Sequence, residues 1–75
     1  MKEDSIIGIV ERKFNGFIIV TDKNKEYKLY AIRPMEAVSP DFDIGRFEKF
    51  LGKKVKASGL FDDSSIWTAY LEEIE

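Results

Sequence analysis

"SIIGIVERKFNGFIIVT", residues 5–21, is the stretch on which the fold turns. Asn15-Gly16 stands between two apolar, β-branched runs, and both residues tolerate positive φ, so the pair reads as the turn of a hairpin. The first run carries Gly8 inside it. A glycine there marks a bulge or a tight bend, the device that turns a barrel corner. Two antiparallel strands follow, at about 5–14 and 17–21. The same stretch gathers Arg12, Lys13, Phe14 and Phe17 around the turn. Those side chains suit a loop that grips a ligand, and the two rings equally suit hairpin strands that need aromatic packing.

Working outward, "DKNK" (22–25) is the next turn and "EYKLYAI" (26–32) a third strand. Its alternation puts Tyr27, Leu29 and Ala31 on one face and Lys28 and Tyr30 on the other. Pro34 ends that strand, and "MEAVSPDFD" (35–43) is a connector. Ser39-Pro40-Asp41 reads as N-cap, first helical residue and an acid at the positive end of the dipole, with Asp43 a second candidate cap. Ile44, Phe47 and Leu51, with Phe50 beside them, recur at helical spacing, and Gly52 supplies a stop. The expectation is one helix over about 40–51. "KKVKASGLF" (53–61) then turns Val55 and Ala57 inward. After a polar turn, "SIWTAYLEEI" (65–74) is expected to turn Trp67, Ala69 and Leu71 inward.

The resulting order is β-β-β-α-β-β. It resembles the OB-fold, a five-stranded Greek-key barrel whose helix lies between strands three and four. The carriers are Gly8, Asn15-Gly16, "YKL" (27–29), the helix with "LGKKVKASG" (51–59), and the closing "YLEEI" (70–74). The resemblance extends over nearly the whole chain and is similar to small bacterial and archaeal OB domains of nucleic-acid-binding type. It implies an all-β domain with one helix over residues 1–75. An SH3-like barrel also has five short strands, but it offers only a short helical turn before its last strand.

Seventy-five residues make one small domain, which buries only about 60–65% of the surface of its unfolded chain. A composition of 44% hydrophobic and 13% aromatic residues meets that demand. There is no cysteine for a disulfide or a thiolate and no histidine for a metal or a general base. No apolar run approaches the roughly 20 residues that span a bilayer, and acids follow the lone N-terminal lysine, unlike a signal peptide. The cytoplasm is the expected compartment, and no membrane is expected as a partner.

The net charge is −2, unevenly placed: residues 1–60 hold twelve bases and nine acids, and the last fifteen hold five acids and no base. The whole is therefore not a generic polyanion binder, although its first four-fifths leaves that chemistry open. "DFDIG" (41–45) lacks the further oxygen ligands of a calcium loop, and "LGKK" (51–54) ends a helix where a phosphate loop would begin one. No nucleophile has a recognisable base partner. Neither a metal, nor a cofactor, nor catalysis is expected.

OB-folds bind across the outer face of strands two and three and the loops flanking it. With Phe17, Ile19 and Thr21 facing outward and Ile18 and Val20 in the core, six residues converge there. They are Arg12, Lys13, Phe14, Phe17, Lys28 and Tyr30, cations for phosphates and rings for bases. Asp62 and Asp63, at the last loop, repel phosphates. Three to four cations give a salt slope of only about −2 to −3, hence weak binding. Two readings result: a single-strand nucleic-acid module, or a protein-interaction and assembly module, the latter favoured by the acidic pI. A domain of a larger protein is compatible with either.

Overall fold

The computed structural model describes residues 2–13, 16–39 and 42–74. Five strands, β1 (Lys2–Lys13), β2 (Gly16–Thr21), β3 (Glu26–Leu29), β4 (Lys54–Phe61) and β5 (Ser65–Glu73), are joined by one 3-10 helix (Ile44–Phe50) between β3 and β4. They close into a barrel in the order β1-β2-β3-β5-β4, with β4 returning to β1. All pairings are antiparallel except β3 with β5. The fold is the all-β barrel with one helix that the order of elements in the sequence implies, and its layout is OB-like.

Closure depends on β1, which serves two neighbours. Lys2–Ile9 pairs with β4 and Gly8–Lys13 with β2, so only Gly8 and Ile9 have partners on both sides. A Cβ at residue 8 would lie 2.4 Å from the Val20 carbonyl oxygen, a clash that backbone cannot relieve. Gly8 therefore permits the close approach at which the strand bends from one sheet partner to the next. Gly59 does the same at the β4 bulge, where register shifts between Ser58 and Leu60 and a Cβ would sit 2.5 Å from the Trp67 oxygen.

The core holds Val10, Phe17, Ile19, Leu29, Phe47, Val55, Ala57, Ile66, Ala69 and Leu71. Phe47 inserts from the helix and meets Phe17 edge-on, ring centroids 6.2 Å apart. The helix is shorter and tighter than expected. Asp43 takes a left-handed conformation (φ 59°) directly before it and makes no side-chain cap, so a helix running in from residue 40 is ruled out at that point. Ile44, Phe47 and Phe50 recur every three residues, the period of a 3-10 helix, so this winding brings all three to the barrel mouth. The expected start at Pro40 and Asp41 lies outside the described residues.

Two facing assignments are corrected. In β2 it is Phe17 and Ile19 that point inward, not Ile18 and Val20. Ile19 pairs with Val10 on one side and Tyr27 on the other, and residues directly opposite share a face. In β5, Trp67 faces outward, because Thr68 adopts a positive φ of 51° and resets the alternation between Ile66 and Ala69, both fully or nearly buried. The third strand is also shorter than 26–32, although its backbone follows β5 onward: Tyr30 N–H donates to Ile66 O (3.0 Å) and Thr68 N–H to Ile32 O (2.9 Å).

Candidate functional site

On the outer surface where β3 leaves the barrel beside β5, the Tyr30 and Trp67 rings stack, with centroids 4.1 Å apart and planes 7° from parallel. Both side chains are half-buried. The parallel register of β3 and β5, Leu29 opposite Ile66, brings the next residue of each strand together on the outer face. Lys28 joins them from β3, its Nζ 5.5 Å from the Tyr30 centroid. Gly16 leaves room for the lysine stem: a Cβ there would lie 3.2 Å from Lys28 Cε.

Trp67 is held from the other side. Its Nε1 donates to Asp62 Oδ2 at 2.9 Å, while Asp62 Oδ1 accepts from the Ser64 and Ser65 N–H groups at 2.9 and 2.7 Å. The bond from Trp67, followed by that from Ser64, holds the Asp62 carboxyl below its ordinary value. Asp62 therefore closes the β4–β5 turn and fixes the indole. That role was not evident in the polar run "DDSS" (62–65).

The six residues singled out in the sequence do not form one cluster. Lys28 and Tyr30 come together as expected. Phe17 is only 3% exposed and offers no ring to a ligand. Arg12 lies opposite Phe17 in register, its Cζ 5.0 Å from that ring's centroid, and reaches Glu48 Oε2 at 3.5 Å. It covers the barrel mouth beside the helix. Lys13 Nζ pairs with Glu26 Oε1 at 2.7 Å. Phe14 lies outside the described residues. Trp67 is the ring that sequence reasoning misplaced. The residue types of "SIWTAY" (65–70) set no phase for it, which follows from the positive φ of Thr68.

Among the described residues, no group of three or more acidic, His or Cys side chains is placed to hold a metal ion. No helix among them is long and apolar enough to cross a membrane. Comparison with protein-family models, curated protein sequences and solved structures finds no match to this chain. The geometry of its own residues therefore carries the functional reading.

Proposed function

We propose that this chain is a non-enzymatic binding module of the OB superfamily that takes single-stranded nucleic acid weakly on the Tyr30–Trp67 platform. The observation carrying this reading is the near-parallel stack with Lys28 against it, at the β3 edge of the face that OB barrels use and beside the β4–β5 loop that flanks it. Stacking on an aromatic side chain contributes about 1–3 kcal/mol per base and tolerates any base, because every base has a π-face. Asp62 fixes the indole before a ligand arrives, which lowers the ordering cost of binding. The cytoplasmic setting expected from the sequence belongs to the same proposal.

Charge keeps the affinity low. Lys28 is the cation at the platform, while Arg12 and Lys13 are engaged with Glu48 and Glu26 in exposed pairs. Such pairs are worth little and exchange readily for a phosphate. The salt slope expected for one to three phosphate contacts lies between about −0.7 and −2.

Trp67 is the chain's single tryptophan and reports directly on its own face. Titration with oligo-dT and oligo-U at low salt is expected to quench its fluorescence saturably, the effect fading as salt rises and weakening in Lys28→Ala. Unchanged emission at low salt, where electrostatic attraction is strongest, would overturn the proposal.

A further inference from the structure

The outer surface of a small closed barrel ordinarily alternates polar residues against the buried ones. Here β1 and β2 break that rule. Ile7 and Ile9, 49% and 36% exposed, stand on the outer face with Val20 beside Ile9. Lys56 and Lys54 are their cross-strand neighbours on β4. Across the hollow, the β2–β3 turn contributes Lys23 and Lys25. Glu11 and Asp22 also line the hollow, so its rim is net positive in a chain that is net negative. None of the four lysines is ion-paired among the described residues, and Lys25 instead lies 5.2 Å from the Tyr27 ring centroid.

One wall of this hollow is an open strand edge. β2 ends at Thr21, opposite Gly8, so the stretch of β1 before Gly8 pairs with β4 on one side and, among the described residues, has no strand on the other. The Ser5 N–H is met by Asp4 Oδ1 of its own chain (2.8 Å) instead of a strand. By the alternation of an antiparallel ladder, Ile7 turns its N–H and C=O the same way as Ser5. Unpaired edges of this kind accept an added strand.

We infer that the hollow between the open edge of β1 and the β2–β3 turn binds an extended acidic segment of a partner protein. The segment pairs with the main chain at Ser5–Ile7, lays apolar side chains on Ile7 and Ile9, and directs carboxylates to Lys23, Lys25, Lys54 and Lys56. The apolar floor and the strand edge select a peptide over a nucleic acid, whose backbone offers neither strand hydrogen bonds nor apolar side chains. This surface is separate from the Tyr30–Trp67 platform and does not depend on it.

The probe is a fluorescein-labelled synthetic peptide of alternating glutamate and valine, read by anisotropy with the intact chain. Saturable binding is expected, weakened roughly three- to tenfold in a Lys54→Glu/Lys56→Glu double variant and unchanged in Lys49→Glu, whose lysine lies on the helix. The same peptide with lysine for glutamate is expected not to bind. Three results would overturn the inference: no binding of the acidic peptide, equal binding of the lysine peptide, or displacement by oligo-dT. Concentration-dependent self-association blocked by the peptide would assign the hollow to a second copy and overturn it as well. Because the readout does not involve Trp67 emission, its failure is distinguishable from failure of the platform.

Discussion

Asp62 illustrates how a residue that looks like surface charge becomes structural. One carboxylate serves two turn amides and the Trp67 indole, so it couples the β4–β5 turn to the candidate platform. Asp62→Ala removes the acceptor oxygens of all three hydrogen bonds and is expected to cost about 1–3 kcal/mol, read by urea unfolding. The pH dependence follows from the downward shift. A carboxylate whose folded pKa is depressed contributes its full stability above the unfolded value, ordinarily 3.8, and loses it as pH falls through the folded one. The stability gap between the wild type and Asp62→Ala should therefore be constant from neutrality to about pH 5 and shrink below 3.8. A gap that persists undiminished at lower pH would refute the assignment.

At the scale of elements, the difference between what was legible and what was not has a physical cause. The strands were placed within a few residues, and Gly8 makes a local conformational demand that the sequence states outright. Of the expected Asn15-Gly16 turn, Gly16 is instead the first residue of β2, paired with Lys13 and without a positive φ, and Asn15 lies outside the described residues. The inward face of β3 was also legible, since Lys28 and Tyr27 alternate in polarity. β2 was not, because "FIIV" (17–20) is apolar at every position and carries no phase of its own. Its phase comes from its partners, Val10 and Tyr27 opposite Ile19. For Trp67 the missing information is a backbone conformation, the positive φ of Thr68, that no residue type there announces. The helix was found by its apolar residues but drawn too long, because a spacing of three fits a 3-10 turn as well as an α-helical face. Phe47 is its one fully buried residue, and Phe47→Ala is expected to cost about 3–5 kcal/mol by unmaking the plug of the barrel mouth. Thermal or chemical unfolding checks this, and a loss within about 1 kcal/mol would mean that the helix does not seal the barrel.

At the scale of the molecule, two surfaces stand apart: an aromatic platform where β3 meets β5, and a lysine-rimmed hollow beside β1. Sequence reading placed Lys28 and Tyr30 at the first and missed Trp67. For the second it offered an edge strand as a protein-binding surface without locating one, because the open edge of β1 exists only once β2 has stopped short of it. The central claim is that the platform, and not the Arg12–Phe17 region, meets a single strand. The most direct test maps amide shifts across the isotopically labelled chain during titration with oligo-dT at low salt. The account predicts shifts concentrated at Lys28–Tyr30 and Asp62–Thr68, fading with salt, with Ser5–Ile9 silent. Shifts centred on Arg12 and Phe17 or on the β1 hollow, or none at all, would contradict it.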